Sequence, residues 1–362
     1  MLKNKIVVIK IGTKVIAGHD KALDKALLKN IVDQIADVLD KGLKVIVVTS
    51  GAVGAGMGLL GIRKRPAKLE ELQATASIGQ SALMQLYGGY FKEKGYLAGQ
   101  ILLTQEDFND RARYLNIKRT IETLFHNKAV PVINENDTVS TEEIKCGDND
   151  RLSSLVGDLC RADMLIFLTD VDGLLDEQGE VINFVDDMNF RITRLARSSK
   201  CELSTGGMAS KLESVRRATA SGIDCVIANG KARGIIIDII NGKNVGTLFR
   251  SSGAKLMAKK RWIAFSSKPK GSIHVDSGAR EALLNKNKSL LASGIIGLGG
   301  QFTEGDVVRI TDLHSKEFAR GIANYSSSDL LKIKGLKTGE IKNALGSKSP
   351  DEVIHKDNLV IL

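Results

Sequence analysis

Cysteine is scarce and unpatterned in this chain. The four present, Cys146, Cys160, Cys201 and Cys225, form no C-x-x-C pair. That argues against a disulfide framework or a zinc site and fits a reducing cytoplasm. Long apolar runs are lacking too, so no segment is expected to span a bilayer. The apolar stretch in the N-terminal M-L-K-N-K-I-V-V-I-K-I-G is too short for a signal peptide. There is no G-x-x-x-x-G-K-[ST]: the Gly-Lys pairs at Gly230 and Gly242 lack a following Ser or Thr, which excludes a P-loop enzyme. Internal repeats and low-complexity tracts are absent. Of the 5 histidines, only His126 lies near a candidate motif, and it reads as structural.

What is present is an ordinary globular composition, 43% hydrophobic and 26% charged. A length of 362 residues predicts two domains. The net charge of +10 is uneven: Ser251 to the C-terminus holds 18 Lys+Arg against 11 Asp+Glu. A basic C-terminal part suits a polyanion partner, or it is a solvated basic surface with no partner.

The first strand signal is Ile6 to Ile11. Its near-continuous apolar run suits a strand buried on both faces of a parallel sheet. Lys10 interrupts it. A lysine there either meets an anion or snorkels to the surface. Leu23 to Leu39 has a helical period, and Leu43 to Val48 is a second strand, leading into T-S-G-A-V-G-A-G-M-G. Strand, crossover helix, strand and glycine turn begin a doubly wound α/β domain. Gly56-x-Gly58-x-x-Gly61 matches the dinucleotide fingerprint, but it sits several residues past the strand and precedes R-K-R-P, so NAD binding is rejected. Gly51, Gly54 and Gly56 instead suggest a backbone that approaches a ligand closely. Ser50, at the strand end, is a ligand contact or a helix N-cap.

Helices are expected over Leu69 to Phe91, Arg111 to Phe125 and Arg151 to Leu159, the last capped by Asp148 or Asn149. Strands are expected over Ala98 to Leu103, Ala129 to Ile133, Met164 to Leu168 and Ile223 to Ala228, with an edge strand over Val245 to Phe249. Pro131 to Asp150 is the most polar strand end. Asn134, Glu135, Asn136, Asp137, Asp148, Asn149 and Asp150 crowd there, either as a small-ligand site or as an acidic surface loop. Thr169 to Asp176, T-D-V-D-G-L-L-D, is a turn that could also meet a nucleotide or its metal. Ser204 to Lys211, S-T-G-G-M-A-S-K, opens a helix, so it is an anion site or a plain flexible loop. Past a linker at 251–269, short strands dominate: Ser272 to Val275, Gly294 to Leu298, Asp306 to Thr311, Glu317 to Asn324 and Glu352 to His355. One short helix, near Ser277 to Leu284, interrupts them, and a small mixed barrel is expected.

Taken together, V-V-I-K-I-G-T, V-T-S-G-A-V-G-A-G, P-V-I-N-E-N-D, I-K-C-G-D-N-D, L-T-D-V-D-G-L and T-G-G-M-A-S-K resemble the glutamate 5-kinase family of the amino acid kinase superfamily. R-W-I, I-H-V-D-S-G-A and G-I-A-N-Y-S-S resemble the PUA domain often fused to it. The resemblance covers essentially the whole chain. It implies an α/β αβα sandwich around a mainly parallel sheet over 1–250, then a PUA domain over 270–362. The implied reaction is ATP-dependent phosphorylation of the L-glutamate side-chain carboxylate, with Mg2+, as the first step towards proline, with feedback inhibition by proline. Also implied are a homodimer or homotetramer, glutamyl-phosphate reductase as pathway partner, and RNA as a possible ligand of the PUA fold.

Carried over residue by residue, Lys10 contacts the ATP phosphates. Ser50, Asp137 and Asn149 bind glutamate. Thr169, Asp170, Thr205, Gly206, Gly207, Met208, Ala209, Ser210 and Lys211 lie at the nucleotide. Ser204 stands where the family commonly has glycine, and Ser210 where it has threonine. A carboxylate with a pKa of about 4.3 is already ionised at neutral pH and needs no general base. Catalysis then rests on positioning and on positive charge at the transferring group. Lys10 and Lys211 are expected to flank it, with Asp150 orienting both. Asp137 is expected to take the α-amino group, and Asn149 and Ser50 the carboxylates. No side chain is assigned to the metal. The rival readings are a kinase acting on another acid, separable by a substrate panel, and an RNA-binding protein whose basic barrel is the working part, which salt-sensitive RNA binding would reveal.

Overall fold

The computed structural model describes residues 5–18, 23–140, 148–186, 207–251, 260, 262–266, 269–286, 288–346 and 350–362. They fall into two compact units, 1–255 and 256–362.

In the first unit the strands are β1 (Ile6–Ile11), β2 (Lys44–Thr49), β3 (Leu97–Leu103), β4 (Ala129–Glu135), β5 (Met164–Thr169), β6 (Phe184–Val185), β7 (Asp224–Asn229) and β8 (Thr247–Phe249). They form one eight-stranded sheet in the order β3-β4-β2-β1-β5-β7-β8-β6. Every neighbouring pair is parallel except β7 and β8. The carboxyl ends of β1 to β5 and of β7 therefore share one edge of the sheet.

The helices are α1 (Thr13–Ile16), α2 (Lys25–Asp40), α3 (Ala52–Leu60), α4 (Leu69–Glu93), α5 (Arg111–His126), α6 (Asp148–Cys160), α7 (Met208–Ala220) and α8 (Ile235–Ile240). Side chains alternate across a strand, and that alternation assigns the layers. Val7, Ile9 and Ile11 of β1 and Val45 and Val47 of β2 join one apolar cluster with Leu28, Ile31 and Ile35 of α2, Leu83, Tyr87 and Phe91 of α4, and Ile236 of α8. Val8, Lys10, Ile46, Val48 and Ser50 have the opposite parity. On that side α6 packs against β1, and α5 and α7 pack against α6. The result is a mainly parallel sheet between two helical layers, as the resemblance implied.

Three expectations change. Val245 to Phe249 does not form the edge, because β6 pairs outside β8; a strand of two residues carries no readable alternation. The glycine stretch after β2 is largely the helix α3, not an open loop. Only Gly51 turns, with φ at 105° and an added Cβ 2.8 Å from Ile16 Cδ1. Gly56 makes room for α4 instead of a ligand: a Cβ there would lie 1.9 Å from the Thr75 carbonyl oxygen.

Gly79 is the reciprocal contact on α4, where a Cβ would stand 1.8 Å from the Ala52 carbonyl oxygen. Backbone meets backbone, so no side chain can yield. Gly79→Ala is expected to cost roughly 3 kcal/mol or more through forced backbone shifts, read as a lower urea midpoint. An unchanged midpoint would mean the crossing is looser than drawn.

The second unit contains β9 (Gly271–Val275), α9 (Ser277–Lys286), β10 (Ile295–Gly299), β11 (Val307–Thr311), β12 (Glu317–Ile322), α10 (Ser327–Ile333), α11 (Thr338–Leu345) and β13 (Leu359–Ile361). Its mixed sheet runs β10-β9-β11-β12-β13, around a core that includes Ile273, Val308, Ile310, Phe318 and Ile354. Among the described residues its ladders run from β10 to β13, a mixed sheet as expected. Glu352 to His355 contributes only a bridge from Ile354 to Leu290. The sequence reading missed α10 and α11, although Ser326 caps α10 by accepting from the Asp329 amide, a legible S-x-x-D signal.

Candidate active site

Lys10 lies one residue from the end of β1, with its side chain on the α6 side of the sheet. There it meets the start of α6. Its Nζ is 2.7 Å from Asp150 Oδ1, and the Lys211 Nζ donates to Asp150 Oδ2 at 3.2 Å. The Asp150 side chain is 0% exposed, against 7% for Lys10 and 13% for Lys211. Two ammonium groups far apart in sequence thus meet one carboxylate, each at its own oxygen. The Lys10 contact is a close ion pair without the directionality of a hydrogen bond, since Oδ1 has no aligned donor. Burying such charges is costly unless they stay paired, so the triad is held together at the carboxyl edge of the sheet.

Ser50 follows β2. Just before it, Thr49 Oγ1 meets the Tyr87 hydroxyl of α4 at 2.8 Å, which pins the strand end. Burial pushes the Tyr87 phenol far above its ordinary range, against the smaller opposing effect of Thr49, so this anchor stays neutral. Ser50 is not a helix cap; Gly51 holds that position.

Asn149, next to Asp150 on α6, donates from Nδ2 to Ser50 Oγ and to Asn134 Oδ1, both at 3.0 Å. It therefore does not cap α6. Asn134, at the end of β4, donates to Gln80 Oε1 on α4 at 2.7 Å and accepts from the Glu135 amide at 2.9 Å. Both Nδ2 hydrogens of Asn149 are thereby used, and its buried atom without a partner among the described residues is Oδ1. Asn149 was expected to donate to a carboxylate. In this arrangement it offers an acceptor, and Ser50 retains its hydroxyl proton to donate.

Asp137 lies apart from the lysine triad. With Gln80, Ser81, Glu135, Asn136 and Gln100 it lines a cavity of about 600 Å³ between α4, β3 and the turn after β4. On the other flank, Thr169 ends β5 and donates to Asp170 at 3.2 Å, while Lys14 Nζ stands 3.2 Å from the same carboxyl. Burial raises the Asp170 carboxyl, but the bonds from Lys14, its own amide and Thr169 outweigh it and hold the group below the usual carboxylate range. Gly207 caps α7, and Met208, Ala209 and Ser210 form its first turn. Thr205 and Gly206 lie outside the described residues. Among the described residues no group of three or more His, Cys, Asp or Glu side chains could hold a metal ion, and both Asp150 oxygens face lysines.

Two features escaped the sequence reading. Asn134 was seen only as part of a polar stretch. Gln80 went unnoticed; it is half-buried at the edge of the α4 stripe that contains Ala76, Leu83, Tyr87 and Phe91, where it lines the cavity.

Buried cations beside a helix start, at the carboxyl edge of a parallel sheet, are an arrangement suited to a small anionic ligand. Residues 5–229 match the amino acid kinase family and residues 271–345 the PUA domain. The chain therefore belongs to the amino acid kinase family, as a kinase with a C-terminal PUA domain. Its full-length relatives are narrower in kind. A glutamate 5-kinase of Thermoanaerobacter sp. is 43% identical, covering 98% of this chain and 97% of the relative. One from Caldanaerobacter subterraneus subsp. tengcongensis is 44% identical over the same shares. A solved UMP kinase from Bacillus anthracis matches 69% of this chain and 98% of its own, at 15% identity and a TM-score of 0.47, too distant to bear on substrate.

Proposed function

We propose that this kinase transfers the γ-phosphoryl group of ATP to the side-chain carboxylate of L-glutamate, the first step of proline biosynthesis. The convergence of Lys10 and Lys211 on Asp150 carries this reading. An ionised carboxylate needs no base, but it must approach a polyanion. Ammonium groups aimed at the transferring phosphoryl offset that repulsion, and they act most strongly where water is excluded. Asp150 takes no proton; it spaces and orients the lysines. The end of β5 and the first turn of α7 flank the nucleotide. Ser50 donates to a substrate carboxylate, and Asp137 and the free Asn149 Oδ1 suit the α-ammonium. Magnesium is assigned to no side chain, and no step is routed through it.

Proline inhibition at or beside the glutamate site, a homo-oligomer, and a reductase that consumes the labile acyl phosphate belong to the same reading. A reducing compartment suits the buried cysteines Cys160 and Cys225.

Hydroxylamine traps acyl phosphates. Hydroxamate is expected only when ATP and glutamate are both supplied. A panel in which another acid gives hydroxamate and glutamate gives none would overturn the substrate assignment.

A further inference from the structure

An amide side chain can usually be turned end for end without changing its shape, so its polarity must be read from neighbours of fixed character. Here one such neighbour exists. The Glu135 backbone amide can only donate, and it donates to Asn134 at 2.9 Å. That atom is therefore the Asn134 oxygen. The Asn149 atom 3.0 Å from the same oxygen must then be the nitrogen. On the other side, the Asn134 nitrogen faces Gln80 at 2.7 Å, so Gln80 presents its oxygen. Polarity runs without ambiguity from β4 in both directions, to α6 and to α4.

The relay joins the two helical layers over the edge of the sheet. Its α6 end reaches Ser50. Its α4 end stops at Gln80, whose Nε2 is buried without a partner among the described residues. A buried donor left unpaired is destabilising. Gln80 is half-buried and lines the cavity beside Asp137, and one of its two polar atoms makes a hydrogen bond within the relay. That atom is its oxygen. Without that acceptor, the Asn134 side chain is held only by the Glu135 amide at its oxygen, so the partner that fixes Asn149 is anchored at one end instead of two and Asn149 Oδ1 is presented less rigidly.

We infer that Gln80 is a positioning residue for the acceptor substrate, acting through Asn134 to hold Asn149 in its acceptor-forward orientation. The inference rests on glutamate being the acceptor.

The test is a double-mutant cycle on the full-length enzyme, with Gln80→Met, which roughly keeps volume, Asn134→Ala, and both together. Gln80→Met is expected to raise the glutamate KM about fivefold to tenfold, the worth of one hydrogen bond, with kcat and the ATP KM within about twofold. Because Gln80 acts through Asn134, the double variant should show no higher KM than Asn134→Ala alone. A residue that only packs α4 would instead lower the melting temperature and shift both KM values. Gln80→Ala serves in the same cycle if the methionine variant does not fold. An unchanged glutamate KM in Gln80→Met, or effects that multiply in the double variant, overturns the inference. If wild type gives hydroxamate with a different acid only, the glutamate reading fails by itself, and the cycle run with that acid still decides the role of Gln80.

Discussion

Lys211→Ala is expected to lower kcat on the order of a hundredfold or more, as does removal of one preorganised donor to a transition state, while the glutamate KM stays nearly unchanged. The reasoning is geometric. Lys211 stands in the first turn of α7 with its ammonium 3.2 Å from Asp150 Oδ2, beside the Lys10 ammonium on the other carboxylate oxygen. The hydrogen bonds that join Ser50 and Asn134 run through Asn149. Losing Lys211 should therefore remove charge from the migrating phosphoryl group without disturbing the acceptor pocket. Steady-state kinetics with glutamate and ATP varied in turn separate the two effects. Normal turnover would remove Lys211 from the chemistry, and a raised glutamate KM at constant kcat would move it to the substrate.

Asp150→Asn should be more damaging, because it strikes stability and turnover together. The carboxylate is fully buried and faces two ammonium groups. An amide of the same shape removes the negative charge that both cations face, and breaking a buried pair from one side costs about 3–5 kcal/mol. We expect a lower urea midpoint by that measure and a kcat loss at least as large as that of Lys211→Ala. Adding Lys10→Met removes one stranded charge, so the double variant should regain part of the stability and none of the turnover. Recovery of both would mean that Asp150 serves the fold alone. A single variant as stable as wild type would show that the lysines relax into solvent without the carboxylate.

Much of the first unit was legible. Strand ends after Ile11, Val48, Ile133 and Leu168 could be placed because buried parallel strands are apolar runs with abrupt polar stops. At each stop stood a residue that the structure puts at the candidate site: Lys10, Ser50, Asn134 and Thr169. Elements too short to display a period were misplaced or missed, namely β6, β8, α10, α11 and β13. Gly56 was misread because a glycine that admits a ligand and one that admits a neighbouring helix look alike in sequence; only the partner backbone distinguishes them.

The sequence alone determined which residues reach the carboxyl edge of the sheet, since that depends on local periodicity and on where each strand stops. It also determined the family, through motifs in a fixed order. The tertiary structure decided who faces whom. Lys10 and Lys211 meet the same carboxylate because strand parity aims Lys10 at the layer where α6 and α7 pack together. Asn149 presents oxygen instead of nitrogen because one backbone amide, Glu135, polarises a relay whose last member lies on α4. Neither follows from local pattern: partners far apart in the chain meet only when the layers close over the sheet, and the polarity of an amide is set by its neighbours in space.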